Sequence, residues 1–234
     1  TQSARREHAV CTLTVFPSDT GTIVTMNRDE ADSRAEAGEY LLSDEHGIMQ
    51  KWWPIDSVSQ GTWFDARGDG LVAALLNRYQ GTSAAARRSR GLIIPALLAD
   101  APKHALASYI MDLKWDDFAP FDLVLVQGAQ IAQCSWENGR MQIHEASAAQ
   151  PFFLSSSSVE YEESLRIRRE AFEQFGAAHK ISPSAVIKLL HQSTHPANLS
   201  LGFCMLRPGR RTKSISQVVS NAAGTQQLYI PLQH

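Results

Sequence analysis

Cysteine is scarce: Cys11, Cys134 and Cys204 are the only three among 234 residues. An odd number, with no CxxC spacing and no histidine at zinc-finger distance from a cysteine pair, excludes a disulfide framework and a structural zinc site. Free thiols in a reducing compartment are the expectation. Long apolar runs are absent, so nothing approaches the roughly 18 residues of a membrane-spanning helix. Thr1 to Val10 is polar and basic without the apolar stretch of a signal peptide, which predicts a cytoplasmic protein. Charge of one sign is lacking too. Twenty-two Lys and Arg against 24 Asp and Glu leave a net charge of -2. That balance provides no general field for nucleic acid or an anionic membrane, and no aromatic-basic face stands in for one. Repeats and low-complexity stretches are missing, and a mean hydropathy of -0.22 with 44% hydrophobic residues excludes disorder. What remains is one globular domain, large enough to hold a core without disulfides or metals.

The chain reads as strands, two helices, strands, two helices, strands. Cys11 to Phe16 alternates, Pro17-Ser18-Asp19-Thr20-Gly21 is turn chemistry, and Thr22 to Met26 is again β-rich, which predicts a hairpin. Gly61 to Ala66 and Gly70 to Leu76 predict a second hairpin, with an irregular segment between the two. Ser89 to Leu98 and Ala101 to Leu113 have helical spacing. Asp122 to Gln127, Ile131 to Trp136 and Met141 to His144 form a meander whose Asn138-Gly139 suits a tight turn. Glu160 to Phe175 is an amphipathic helix with Leu165, Phe172 and Phe175 on one side and Glu162, Arg166, Arg169 and Glu173 on another. Ser182-Pro183 starts a further helix to His191. Leu201 to Leu206, Lys213 to Val219 and Gln226 to Ile230 read as closing strands. This order argues an α+β structure with two mostly antiparallel sheets between helix layers, a four-layer αββα sandwich. Residues 1–10 form an N-terminal extension and 11–234 a single domain.

The densest polar cluster is Asn27-Arg28-Asp29-Glu30, directly after a strand that should be buried. Such groups are expensive to desolvate without partners. They make either a solvated turn with a local Arg–acid pair or a site. The hairpin brings Cys11 back beside Asn27 and Asp29, and a thiol near a carboxylate and an arginine is an arrangement that activates a nucleophile.

Cys11-Thr-Leu-Thr-Val-Phe16, Asn27-Arg28-Asp29-Glu30, Gly61-Thr62-Trp63, Leu71-Val-Ala-Ala-Leu-Leu-Asn77 and Ser89-Arg90-Gly91, in this order, resemble the NRDE family, the transport-and-Golgi-organisation-2-like proteins. That family is similar in turn to cysteine N-terminal-nucleophile (Ntn) hydrolases, which have the αββα sandwich. The resemblance implies that Cys11 is the nucleophile attacking an amide carbonyl, with its own α-amine as base. Asp29 of Asn27-Arg28-Asp29 would orient it, and Asn77 would donate to the oxyanion. A donor of that kind contributes on the order of 3 kcal/mol to the transition state. Two positions depart from the hydrolase pattern: Met26 stands where many have arginine and Ser156 where a second amide is usual. The resemblance implies a late arginine too, at Arg211, with Arg210 beside it. The α-amine also requires cleavage of the Val10–Cys11 bond.

Other residues join the candidate pocket. Trp52 and Trp53 would stack on a flat apolar ligand, or pin their loop to the sheet. Arg88 and Arg90, with Arg87, form either a small basic patch suited to a carboxylate or phosphate or a set of solvated surface arginines. Trp63 and Glu30 complete the expected lining. Ser155 to Ser158 reads as the capping region of the following helix, since no Gly-x-Ser-x-Gly is present. Three readings compete: a cysteine hydrolase of non-peptide amides needing no cofactor, a non-enzymatic carrier, and a structural or interaction module, which would leave the polar cluster at Asn27 to Glu30 unexplained. For the carrier the resemblance implies haem, a lipid or acyl-CoA in the same pocket. The lone histidines His8 and His195 would either ligate haem iron or face solvent as loop histidines usually do.

Overall fold

Alternation along the first strand sets up two of the three buried layers. Cys11, Leu13 and Val15 of strand β1 (Cys11–Ser18) point into one apolar cluster and Phe16 into another. The structure is a computed structural model that describes residues 11–37, 41–44, 47–50, 54–57, 59–78, 86–102, 105–156 and 161–232. Strand β2 (Gly21–Ala31) returns antiparallel to β1, pairing Cys11 with Arg28. Gly21 has φ +125°, and a Cβ there would lie 2.3 Å from the Ser220 carbonyl oxygen, so glycine is required at this turn.

The chain continues through β3 (Glu36–Ala37), β4 (Leu41–Asp44), β5 (Gly47–Gln50), β6 (Ile55–Asp56), β7 (Phe64–Ala66) and β8 (Val72–Asn77). A tight turn at Arg90–Leu92 leads into α1 (Ile93–Asp100), followed by α2 (Leu106–Asp112). Pro95 falls in the first turn of α1, where its missing amide proton has no helical partner to lose. The meander is β9 (Phe121–Gln127), β10 (Gln130–Glu137) and β11 (Arg140–Ser147). After β12 (Phe152–Ser156) come α3 (Tyr161–Ala178), α4 (Pro183–Ala185) and a π-helical turn at Val186–His191. Strands β13 (Leu206–Arg207), β14 (Arg210–Asn221) and β15 (Gly224–Pro231) close the fold.

Two large antiparallel sheets result among the described residues, one ordered β12-β1-β2-β14-β13 with β15 also paired to β14, the other β11-β10-β9-β8-β7, with β3–β6 and β4–β5 as separate two-stranded pairs. Leu13, Val24, Met26, Trp63, Val72, Leu76, Val124 and Val218 fill the layer between them. Leu71, Ala73 and Leu75 pack outward against Ile94 and Leu97 of α1. Phe16 and Ile23 pack outward against Phe172 and Phe175 of α3, with Val186 and Leu190. The architecture is the αββα sandwich that the element order predicts.

Three local expectations change. β2 runs on to Ala31, so the polar cluster lies inside a central strand, flanked by β1 and β14, rather than after it. Ser155 and Ser156 belong to β12, opposite Thr12 and Cys11, not to a helix cap. Leu201 to Met205 is not a strand, because its backbone groups bond elsewhere: Cys204 donates to the Ser193 carbonyl, and the Phe203 carbonyl accepts from Asn27.

Candidate functional site

Strand periodicity divides Asn27-Arg28-Asp29-Glu30 into two pairs. Asn27 and Asp29 face the α3 layer, where their side chains reach His191 and Arg168, while Arg28 stacks over Trp63 on the opposite face. The Asn27 Nδ2 donates to the carbonyls of His191 (2.9 Å) and Phe203 (2.7 Å), and its Oδ1 accepts from His191 Nδ1 at 2.6 Å. His191 Nε2 then accepts from Thr14 Oγ1 at 2.8 Å. With every polar atom engaged, Asn27 clamps the π-helical turn to the sheet rather than facing a ligand. Burial keeps His191 neutral, holding it down at about 3.

Asp29 is fully buried. Thr212 Oγ1 donates to its Oδ1 at 2.5 Å, and Arg168 Nη1 lies 3.5 Å from its Oδ2. Burial pushes the carboxyl up to about 6 against the pull of Arg168 and Thr212. Arg168 also donates to Thr12 Oγ1 at 2.6 Å and to the Leu201 carbonyl at 3.3 Å.

Cys11 is 5% exposed, its backbone N–H donating to Ser156 Oγ at 3.2 Å and its carbonyl accepting from Ser155 Oγ at 3.3 Å. With the chain continuous through residue 11, this thiol is not activated. Burial, and then the Asp29 charge, push it up to about 12, only partly opposed by the Asp29 backbone N–H and by Arg28. The expectation that a neighbouring carboxylate and arginine would activate the thiol does not hold for this state.

A cavity of about 100 Å³ joins Cys11 to Arg28, Asp29, Glu30, Trp63, Asn77 and Arg90. Arg28 donates to Glu36 Oε1 (2.7 Å) and Asp56 Oδ2 (2.9 Å) and sits 4.2 Å above the Trp63 ring. Glu36 accepts from the Tyr229 hydroxyl as well. Arg90 donates to the Pro120 carbonyl at 2.7 Å. Asn77 ends β8 at the cavity wall. Gly61 and Gly91 bring two of the sequence motifs into backbone contact: a Cβ on Gly61 would lie 2.4 Å from the Gly91 carbonyl carbon. Thr62 N–H donates to the Gly91 carbonyl at 2.9 Å.

The remaining candidates lie elsewhere. Arg211, opposite Glu30, is part exposed and pairs with Asp32 at 3.4 Å, while its neighbour Thr212 turns inward to Asp29. The arginine that meets Asp29 is Arg168, and the sequence did hold a signal for it: with Leu165, Phe172 and Phe175 it follows the 3-4-3 spacing of the apolar stripe of α3. Met26 is buried in the inter-sheet core. Ser156 meets the backbone of Cys11. Arg88 stacks 5.0 Å from the Phe118 ring beside a second cavity, of about 160 Å³, between α1 and α2. Trp52 and Trp53 lie outside the described residues, as does His8. Among the described residues no group of three or more His, Cys, Asp or Glu is placed to hold a metal ion, and no helix is long and apolar enough to cross a membrane.

Solved structures share this arrangement of layers. The N-acylethanolamine-hydrolyzing acid amidase ortholog of Caenorhabditis elegans superposes with a TM-score of 0.58 at 13% identity, covering 93% of this chain and 100% of its own. A variant of the conjugated bile acid hydrolase of Clostridium perfringens gives 0.52 at 10% identity, covering 94% and 92%. At such identities the likeness is one of fold, that of the Ntn hydrolases. No curated protein matches the chain in sequence. The family model for Transport and Golgi organisation 2 matches residues 11–226, so the chain belongs to that family.

Proposed function

We propose that the protein is a cysteine-type hydrolase of non-peptide amide bonds. The observation that carries this reading is the cavity shared by Cys11, Asp29 and Asn77 on an Ntn-hydrolase fold. The backbone nitrogen of Cys11 is an amide and has no lone pair available as a base. Cleavage before Cys11 would turn it into an α-amine, next to Ser156 Oγ and beside its own thiol. The thiol would then add to the substrate carbonyl while its proton passes to that amine. The Asn77 amide would donate to the oxyanion. The leaving amine would take the proton as the C–N bond breaks, and water would release the acyl group from sulfur.

The carrier reading has less support. A porphyrin is many times larger than a cavity of about 100 Å³ whose Arg28 is already paired with Glu36 and Asp56. Both ring nitrogens of His191 are engaged, and His195 Nδ1 accepts from the Asn198 N–H. The site does not fit haem.

The test is the intact mass of protein from its native cells together with a broad acyl-amide panel. A chain beginning at Cys11, with turnover that disappears in Cys11→Ala, is the expected result. Equal background turnover in wild type and Cys11→Ala overturns the proposal.

A further inference from the structure

Of the three arginines between residues 87 and 90, two are engaged within the fold. Arg87 pairs with Asp117 at 3.1 Å, and Arg90 donates to the Pro120 carbonyl. Arg88 has no carboxylate partner among the described residues. Its exposed guanidinium lies 5.0 Å from the Phe118 ring and lines the cavity between α1 and α2. Lys114, exposed two residues past the end of α2, lines the same cavity and is likewise without an ion pair among the described residues.

Most of the remaining lining is carbon. Leu92 and Leu97 come from the α1 side, Leu113, Trp115 and Phe118 from α2 and the chain after it. Trp115 has its one polar atom satisfied, because Nε1 donates to the Ile110 carbonyl at 3.0 Å. Phe121 stands 5.4 Å from its ring, so the indole is fixed in place as an apolar surface. Asp100 is the single acid of the lining. It ends α1 at the connection to α2, whereas Lys114 follows the other end of α2. Two cations against one acid leave the lining with one positive charge in excess. None of these residues borders the Cys11 cavity. Ser89, Arg90 and Gly91 line that one, while Arg88, Leu92 and Ile93 line this one.

We propose that the cavity between α1 and α2 is a second binding site, for a small monocarboxylate with an apolar body. The carboxylate pairs with Arg88 and Lys114, and the carbon body lies against Trp115, Phe118 and Leu97. The planar fork of an arginine matches a carboxylate, and the excess of one charge matches one negative charge. An uncharged ligand would leave both cations unpaired, and a small inorganic anion would leave the apolar walls in water. The site stands whether or not the Cys11 cavity carries out hydrolysis.

Ligand-observed NMR titration of the full chain with 4-phenylbutyrate tests it. Saturable binding is expected, with a Kd of about 1 mM or tighter for a ligand of that size. Arg88→Ala and Lys114→Ala should each weaken it about fivefold, the loss of one part-exposed charge pair. Ala96→Phe places a ring in the cleft from an exposed position of α1 and should remove saturable binding while the melting temperature stays close to wild type. Acetate and 4-phenyl-1-butanol should each bind more weakly than 4-phenylbutyrate by about fivefold or more. No saturable binding to wild type overturns the proposal, as does binding undiminished in both Arg88→Ala and Lys114→Ala. Equal affinity for the alcohol overturns the carboxylate, and equal affinity for acetate overturns the apolar body. Binding retained in Ala96→Phe puts the ligand elsewhere and overturns the site.

Discussion

Arg168 reaches from helix α3 through the outer apolar layer to place Nη1 3.5 Å from Asp29 Oδ2, with both side chains buried. The same guanidinium holds Thr12, next to Cys11, so one side chain ties the carboxylate and the nucleophile strand together. Removing either member leaves the other as an uncompensated buried charge.

Arg168→Met should therefore lower stability by about 3–5 kcal/mol, measured by urea denaturation. Adding Asp29→Asn should restore part of the loss, because the stranded carboxylate is then gone. Strict additivity of the two losses would refute the coupling.

His191 should make the fold acid-labile. Its folded value of about 3 lies below the ordinary 6.5, so between those pH values the unfolded chain binds the extra proton and stability falls as pH falls. Each unit of difference corresponds to about 1.4 kcal/mol. Asp29 works in the opposite direction: raised from 3.8 to about 6, it takes its proton first in the folded state and adds stability as pH falls through that window. Urea midpoints from pH 7 to 4 should fall steeply in wild type and more gently in His191→Gln. Parallel curves would show that His191 does not govern the slope.

Gly61→Ala should cost about 1–3 kcal/mol, since the new methyl must push back the Gly91 backbone. Gly68→Ala, with nothing within 4 Å of the added Cβ, serves as the control and should leave the melting temperature nearly unchanged. Comparable shifts for the two would mean that the Gly61–Gly91 contact carries no weight.

The uncut chain should be a poor nucleophile. With its thiol at about 12, Cys11 should react with iodoacetamide at pH 8 more slowly than free cysteine. A chain beginning at Cys11 should react faster than the uncut one, because an amine then stands beside the thiol. The ratio of the two rates, followed by mass spectrometry, checks this.

Alternation of apolar residues, turn chemistry and helical spacing were enough to read most of the elements and their order. The β1–β2 hairpin, the meander and α3 stand close to where the amino-acid pattern places them. The motifs around Cys11, Asp29, Gly61, Asn77 and Gly91 were legible too, and these residues do line one cavity. Local pattern could not tell which way the polar residues of β2 turn, because that depends on where a strand ends. Pairing with β14 carries β2 to Ala31 and sends Asn27 away from the cavity, toward His191. Nor could it show that Arg168, which lies 139 positions from Asp29 in sequence, is the arginine that meets it. The sequence by itself settled which residues are apolar, which turn and which alternate, since these are properties of neighbours in the chain. Which buried charges meet, and how far each is shifted from its ordinary titration, was decided by layers packing across long separations, where burial and the nearest opposite charge set the energy.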